Sequence, residues 1–272
     1  MKLSQLGELG LLAELERRGL VAGIEHDAAE LHDGLVVTQD ALVEGVHFRL
    51  DWIDWRELGF RAAAVNLSDL AASGAEPDAL VVSLAVPGET RAEDVIALYE
   101  GIAETGVPVV GGDTNAAPLV MLAVTAIGRS DRVPGRTGAR PGDLLVVTGP
   151  LGAAGAAFRR QAYARPPIRL EEGRRLAQTA HAMLDISDGL AVDAGHVARR
   201  SGVRCAIDLD QVPLAEGATV DDLGFGEDYE LLAAVPDAGD LAVIGRVEAG
   251  EGVELRQNGE PRELRGYEHF QR

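Results

Sequence analysis

Lysine is almost absent from this sequence of 272 residues, and acidic residues outnumber basic ones by 44 to 25. Lys2 is the only lysine, and the formal net charge is −19. Nucleic acids and anionic membranes are bound through clusters of Lys and Arg, so the composition argues against both as partners. The single lysine also excludes the Gly-x4-Gly-Lys-Ser/Thr phosphate loop and the phosphate-binding lysine of protein kinases. A nucleotide site in this chain must therefore use arginines or metal ions.

The sequence also has a single cysteine and no long apolar run. Cys205 stands alone, which excludes a disulfide framework and a multi-cysteine metal site. No apolar run approaches the ~20 residues of a membrane span, and the first residues lack the apolar core of a signal peptide. We therefore expect a cytoplasmic protein without a membrane partner.

The remaining composition is that of a globular protein with few aromatics, which favours a mixed α/β fold. Hydrophobic spacing predicts helices over 3–18, 62–75, 91–104 and 170–179, and strands over 35–38, 79–86, 119–127, 144–147 and 204–209. Residues 129–142 combine four arginines with Gly and Pro and mark the best boundary, giving domains 1–137 and 138–272. Either a solvated linker or an arginine that reaches phosphate would explain that segment.

The helix over 62–75 is the most informative element. Asn66, Asp69 and Ser73 share one face of an otherwise apolar helix, and Gly74 is placed to end it in a left-handed cap. A carboxylate on such a helix needs hydrogen-bond donors, a cation or a metal to stay ionised. Asp69 could also cap a neighbouring loop.

Five further acids stand beside small residues at the predicted ends of strands or in turns. They are Asp27, Asp40, Asp113, Asp185 and Asp188. Asp113 follows Gly111 and Gly112, which we expect to form a turn after a short buried strand, suited to phosphate but also found without a ligand. Ser187 or Asp188 could be the N-cap of the next helix, yet two close carboxylates repel unless a cation accompanies them. Oxygen-only ligands select Mg²⁺, and several such ions suggest phosphoryl transfer from a nucleotide.

Seven motifs, in this order, resemble those of thiamine-monophosphate kinases over nearly the whole chain. They are 38–48 (TQDALVEGVHF), 64–75 (AVNLSDLAASGA), 111–114 (GGDT), 138–143 (GARPGD), 185–190 (DISDGL), 227–231 (EDYEL) and 266–270 (GYEHF). The resemblance implies an ATP-dependent enzyme of the aminoimidazole ribonucleotide synthetase-like superfamily. It implies two α/β domains: an N-terminal mixed sheet that pairs with a second subunit in a homodimer, and a C-terminal domain across the ATP cleft.

The implied reaction transfers the γ-phosphoryl group of ATP directly to thiamine monophosphate, with several Mg²⁺ ions. By motif match, the metal positions are Asp27, Thr38, Gln39, Asp40, Asp69, Asp113, Asp185 and Asp188. The positions matched to ATP are Tyr99, Gly112, Asp113, Arg136 and Ser187. His47, Glu227 and Tyr267 match positions that hold thiamine monophosphate.

The chain departs from the family pattern at three places. Glu25-His26-Asp27 replaces Gly-Asp-Asp, Gln39 replaces Thr, and Phe225 replaces a Gly. A second hypothesis is therefore a nucleotide- or thiamine-phosphate-binding protein with reduced or lost turnover. A third is a sister ATP-dependent activity of the superfamily, although the reactive cysteines of two such relatives have no counterpart here.

Overall fold

The computed structural model describes residues 2–22 and 26–267, which form two β-sheets packed against helices. The strands of the first sheet are β1 (Ala29–Glu30), β2 (Leu35–Val43), β3 (Glu76–Val86), β4 (Val109–Ala116) and β5 (Met121–Arg129). The second sheet contains β6 (Leu144–Val147), β7 (Ala182–Asp185), β8 (Arg204–Asp208), β9 (Leu231–Val235), β10 (Ala242–Glu248), β11 (Gly252–Gln257) and β12 (Glu260–Pro261). The helices are α1 (Leu3–Arg17), α2 (Trp55–Ala72), α3 (Ala92–Ala103), α4 (Ala153–Phe158), α5 (Leu170–Ala177) and α6 (Leu190–Ser201).

Both sheets are mixed. The first has the order β1-β2-β5-β3-β4, with β3 and β4 parallel; the second has the order β12-β11-β8-β10-β6-β9-β7, with β8 and β11 parallel. The predicted mixed α/β fold is confirmed. No helix within the described ranges is both long and apolar enough to cross a membrane.

Helix α2 is the centre of the molecule. It begins after Asp54, whose side chain accepts a hydrogen bond from the Glu57 N–H at 2.8 Å. It therefore starts earlier than the predicted helix, while its end is as expected, because Gly74 adopts a φ of 62°. The helix contacts β2, β3 and β5 of the first sheet, α3 and α5, and β7 and β9 of the second sheet. A helix covered on so many sides is apolar around most of its circumference, which explains its run of small residues.

Two glycines allow α2 and α3 to pack closely. A Cβ atom on Gly59 would lie 1.8 Å from the Leu98 carbonyl oxygen, and one on Gly101 would lie 1.8 Å from the Arg56 carbonyl oxygen. No larger side chain fits either place without separating the helices. The close approach fixes α2 against α3 and so fixes the side chains that α2 carries toward the sheets.

The predicted double-glycine turn is wrong. Gly111 and Gly112 lie inside β4, paired in parallel register with Val81 and Val82, and every residue of this edge strand is exposed. A Cβ on Gly112 would lie 1.8 Å from the Val82 carbonyl oxygen, so the glycine permits close strand pairing. The pairing joins segments far apart in sequence, and nothing local in a Gly-Gly pair reveals it.

The first sheet has one face against α2 and α3 and a second face, here called the outer face, with no element of the described chain packed on it. The strands alternate between buried residues and partly exposed ones, which lie on the outer face. Its apolar members are Val37, Ala41, Val43, Ala79, Val81, Ala85, Met121, Ala123 and Ile127, and its polar members include Gln39, Ser83 and Thr125. A largely apolar face of this extent is typical of an interface.

The segment between the two sheets, residues 130–137, is held firmly against the second half. Arg132 donates hydrogen bonds to the carbonyl oxygens of Ala177 and, at 2.7 Å, Ala180. The Met183 N–H donates to the Gly135 carbonyl oxygen at 2.8 Å. The expectation of a solvated linker is therefore wrong for this part of the boundary.

Gly101→Ala should destabilise the protein, because its methyl group would overlap the Arg56 carbonyl and force α2 and α3 apart. We expect a loss of about 1–3 kcal/mol in the free energy of unfolding, measured by urea denaturation. Gly88→Ala is the matched control, since a Cβ there meets no atom within 4 Å. Equal stability of the two variants would contradict close helix packing.

Candidate active site

Four carboxylates converge where α2 meets both sheets. Asp27 precedes β1, Asp40 lies on β2, Asp69 on α2 and Asp185 at the end of β7. Each carboxylate is close enough to another that the charge of one raises the pKa of the other. We call these residues the carboxylate cluster.

Hydroxyl groups supply hydrogen bonds to two members of the cluster. Thr38 Oγ1 donates to Asp69 Oδ2 at 2.5 Å, and Ser68 Oγ donates to Asp185 Oδ2 at 2.6 Å. Ser68 and Asp69 are consecutive residues of α2, so this helix engages a strand of each sheet at the same level. The cluster therefore depends on the junction between the two halves of the chain.

Burial and like charge oppose ionisation of the cluster. Burial, followed by the charges of Asp185, Asp40 and Asp27, raises the pKa of Asp69 well above its ordinary value. Burial and then the charge of Asp27 raise the pKa of Asp185 to about 8. Burial also raises the pKa of Asp27. Partial desolvation and then the charge of Asp27 raise the pKa of Asp40, which is the most exposed of the four residues. The set needs added positive charge to hold four ionised groups.

Arg136 provides part of that charge. Its Nε and Nη2 atoms donate to Asp27 Oδ1 at 2.9 and 2.6 Å. This places Arg136, which the motif match assigns to ATP, at the carboxylate cluster. One guanidinium among four carboxylates still leaves a strong preference for cations.

Asn66 connects α2 with β2. Its Nδ2 donates to the Ala62 carbonyl oxygen at 2.9 Å, and its Oδ1 accepts from the Asp40 N–H at 2.9 Å. This side chain is fully buried, so both bonds are shielded from water. Asn66 therefore fixes the backbone that presents Asp40 to the cluster. Ser73, on the same face, is buried, and its Oγ lacks a hydrogen-bond partner.

The N-cap of α6 is neither Ser187 nor Asp188, the two residues that the sequence leaves open for that position. Gly189 holds that position, and Asp193 Oδ2 accepts from the N–H groups of Asp188 and Gly189 at 3.1 and 3.0 Å. Burial, then the charges of Asp188 and Asp185, raises the pKa of Asp193 well above its ordinary value. Ligand-type atoms of Asp188, Asp193 and His196 lie within 4.8 Å of one another. Asp193 thus anchors the turn that carries Asp188.

A cavity of about 340 Å³ opens beside this turn. Its lining includes His47, Glu227 and Tyr267, the three residues that the motif match assigns to thiamine monophosphate. His47 accepts a hydrogen bond at Nδ1 from the Val43 N–H at 3.0 Å, which orients its ring. The Tyr267 N–H donates to the Asp188 carbonyl oxygen at 2.9 Å, so the cavity adjoins the acidic turn directly. The lining residues are Val46, His47, Phe158, Tyr163, Ser187, Gly224, Phe225, Glu227, Gly266 and Tyr267.

Aromatic rings form one side of this cavity. The ring centroids of Phe158 and Phe225 are 4.9 Å apart, and that of Trp52 is 5.3 Å from Phe158 and 6.0 Å from Tyr163. Rings grouped in this way offer flat apolar surfaces to a ligand ring. Glu227 supplies an acid on the same cavity, which suits a ligand that is aromatic and carries hydrogen-bond donors or positive charge.

Some predicted site residues lie away from the carboxylate cluster. The Gln39 side chain is on the outer face, where its Oε1 accepts from Thr125 Oγ1 at 2.9 Å. Asp113 is on exposed β4, level with Ser83, and accepts from Asn115 Nδ2 at 2.6 Å. Tyr99 lies on α3 and borders a separate depression. Within this chain, these side chains do not join the cluster.

The departure at 25–27 is seen in part. A Cβ on Gly135 would lie 1.8 Å from His26 Nδ1, so the His26 ring occupies the space that this glycine leaves open. Its Nδ1 is buried and has no hydrogen-bond partner in residues 2–22 and 26–267. Glu25 and motif positions 268–270 lie outside the described residues.

Three functional candidates were missed by sequence reasoning. Ser68 adjoins Asp69 but shares no polar face with it, and Asp193 resembles an ordinary first-turn acid of α6. Arg61 is fully buried on α2 and pairs with Glu227 across 2.5 Å. The available signal for Arg61 was a charged residue directly before the apolar run that begins at Ala62.

The family comparisons agree with this arrangement. The model described as AIR synthase related protein, N-terminal domain matches residues 25–130, and that of the C-terminal domain matches residues 140–258. The thiamine-monophosphate kinase of Aquifex aeolicus is 32% identical, with 99% of this chain and 100% of the relative covered. That of Pyrococcus horikoshii is 36% identical, with 87% and 86% covered.

A solved structure shows the same fold and a ligand-bound site. "AaThiL complexed with AMPPCP and TMP" matches with a TM-score of 0.90 and 33% identity, covering 99% of each chain. Matches of this identity over both full chains exceed what a shared fold alone produces. The chain belongs to the thiamine-monophosphate kinase family of AIR synthase-related proteins.

Proposed function

We propose that this protein transfers the γ-phosphoryl group of ATP to thiamine monophosphate, giving thiamine diphosphate and ADP. The observation that carries the proposal is the position of the carboxylate cluster next to the aromatic, acidic cavity, with Ser187 and Asp188 at their junction. The relatives named thiamine-monophosphate kinase and the neighbour bound to AMPPCP and TMP support it.

The donor atoms of the cluster fit Mg²⁺, which prefers oxygen ligands. The raised pKa values of Asp27, Asp40, Asp69 and Asp185 express a lack of positive charge that a divalent cation would relieve. We assign these four residues, Asp188 and the Thr38 hydroxyl as ligands or close contacts of Mg²⁺. When bound, Mg²⁺ neutralises phosphate oxygens and favours departure of ADP.

The proposed ATP contacts are of two kinds. Arg136 and Ser187 lie at the cluster and can reach phosphate oxygens from this chain. Gly112 and Asp113 lie on edge strand β4, and we propose that they act, like Gln39, from positions nearer the outer face and a second subunit. Tyr99 lies on α3, on the other side of the first sheet, and we propose that it contacts ATP from there.

The thiamine moiety fits the cavity. Phe158, Tyr163 and Phe225 offer surfaces for its rings, while His47, Glu227 and Tyr267 supply polar groups. The acceptor phosphate then points toward Asp188 and the cluster.

The reaction needs little acid–base chemistry from the protein. An oxygen of the acceptor phosphate forms a bond to the γ-phosphorus, the bond from that phosphorus to the β–γ bridging oxygen breaks, and ADP leaves. The attacking oxygen is already anionic, so no general base is required. The protein contributes the alignment of two polyanions and electrostatic stabilisation.

Purified protein with ATP, Mg²⁺ and thiamine monophosphate tests the proposal, with thiamine diphosphate and ADP quantified by chromatography. Equal amounts of both products are expected. Binding of both substrates without product would favour the alternative, a binding protein without turnover, for which His26 and Gln39 are the motivating substitutions.

Asp69→Asn should abolish turnover and leave the fold intact. Asn keeps the volume and can still accept from Thr38, but it removes a charge that the cluster needs for cations, so kcat should fall by about 10³-fold or more. Because the Asp69 pKa is raised, its ionised form destabilises the folded state, and the melting temperature should stay the same or rise. Asp240→Asn, at a side chain 80% exposed, is the matched control. An active Asp69→Asn enzyme would contradict the assignment.

Glu227→Gln should weaken binding of thiamine monophosphate and leave binding of ATP unchanged. We expect the KM for thiamine monophosphate to rise about tenfold and the KM for ATP to stay constant, because only the cavity loses a charge. Steady-state kinetics with each substrate varied in turn provides the measurement, with exposed Glu260→Gln as control. An unchanged KM for thiamine monophosphate would remove Glu227 from the acceptor site.

We also propose that the chain forms a homodimer through the outer face and the exposed edge strand β4. The support is the apolar composition of that face and the complete exposure of β4, including Val110 at 65%. The Asp113 carboxylate would then face the second subunit.

Val81→Asp should dissociate such a dimer, because it introduces a charge in the middle of the outer face. Light scattering after size exclusion should give twice 28.6 kDa for the unmodified protein and 28.6 kDa for the variant. Val243→Asp, at an exposed position of β10 in the second sheet, should remain dimeric. A monomeric unmodified protein would refute the interface.

A further inference from the structure

Arg61 is a buried charge that the proposed reaction does not yet use. It lies on α2, the helix that also carries Ser68 and Asp69, and its side chain is 2% exposed. It borders a small second cavity of about 150 Å³, and Tyr163 lines both this cavity and the acceptor cavity. Arg61 therefore lies directly behind the wall of the acceptor site.

The contacts of Arg61 point toward Glu227. Arg61 Nη2 is 2.5 Å from Glu227 Oε1, and its guanidinium lies over the Tyr163 ring, 5.2 Å from the centroid. Nε and Nη2 are buried, and neither has a well-aligned hydrogen-bond partner among the described residues. A buried guanidinium satisfied this poorly costs stability, so fold stability alone does not explain it.

The loop that carries Glu227 is strained. Glu227 and Tyr229 have φ values of 59° and 53°, in the left-handed region that disfavours side chains. The loop is held by the Glu227 N–H, which donates to the Ser187 carbonyl oxygen at 2.8 Å, and by the Tyr229 N–H, which donates to that of Ile186 at 2.9 Å. Backbone strain persists where the surroundings determine it, and it is common at ligand sites. The guanidinium of Arg61 holds the Glu227 side chain of this loop in place.

We propose that Arg61 is a positioning residue for acceptor recognition. It holds Glu227 Oε1 from behind, so that the second carboxylate oxygen is presented to a hydrogen-bond donor on the acceptor, such as the amine of an aminopyrimidine ring. Arg61 also links this selection to α2, the helix that carries Asp69. The inference rests on the proposed function, since it names how that same cavity recognises its acceptor.

Kinetics of Arg61→Met test the role. The KM for thiamine monophosphate should rise about tenfold or more, while the KM for ATP changes by less than about twofold. Arg61→Lys keeps the charge but loses the planar fork, so it should recover part of the affinity. Arg56→Met is the matched control: Arg56 is on the same helix, 51% exposed and paired with Glu100 and Glu104, and neither KM should change.

A double-mutant cycle separates positioning from simple stability. If Arg61 acts through Glu227, Arg61→Met should add less than about twofold to the KM of Glu227→Gln. Fully multiplicative effects would overturn the proposal, as would a lower melting temperature of Arg61→Met with an unchanged acceptor KM. Should Arg61→Met fail to fold, Arg61→Lys carries the test, and an acceptor KM equal to that of the unmodified protein refutes the role.

Calorimetric titration with thiamine monophosphate keeps the two proposals distinguishable. Absence of thiamine diphosphate with the unmodified protein refutes the proposed activity. The positioning role is then judged by the dissociation constant, which should be weakened in Arg61→Met and unchanged in Arg56→Met. Equal constants for these two variants refute it whether or not turnover occurs.

Discussion

The structure has to hold Asp27, Asp40, Asp69 and Asp185 close together against their mutual repulsion, and the surrounding elements are arranged to do this. Rigid elements hold these four acids together despite their repulsion. Asn66 fixes β2 to α2, and Ser68 connects α2 with β7. The glycine contacts between α2 and α3 keep the helix itself in place. The fold thus accepts an unfavourable electrostatic arrangement in the absence of cations. The same arrangement gives cations and their phosphate ligands a strong reason to bind.

The acceptor cavity shows a second balance of charge, about two turns along α2 from Ser68. Arg61 is buried and Glu227 sits on a strained loop, each an unfavourable feature taken alone. Together they place one carboxylate beside a group of aromatic rings. Helix α2 therefore contributes to both halves of the proposed reaction: hydroxyl and carboxylate groups toward phosphate, and a guanidinium behind the organic part of the acceptor.

Much of this could be predicted from the sequence, and the limits have physical causes. Local periodicity was sufficient for the second half of α2 and its Gly74 end but not for its start at Trp55. Oxygen ligands beside small residues indicated Asp69 and Asp185. The pair Gly111-Gly112 predicts a turn when only the local sequence is considered. Its place in a strand depends on close pairing with β3, a tertiary contact that the local sequence does not show. Ser68 and Asp185 are 117 positions apart, so their hydrogen bond leaves no local pattern. Arg61 had no identifiable role until the loop of Glu227 was seen against it.

Residues 130–137 have a wider consequence for how ligands enter. Arg132 binds two carbonyl groups near the end of α5, Gly135 bonds to β7, and Arg136 reaches across to Asp27. A chain crossover tied down at three successive points is a poor hinge. The two sheets are thus expected to move as one block during a catalytic cycle. Admission and release of substrates would fall to the walls of the cavity, chiefly the aromatic side chains around Phe158.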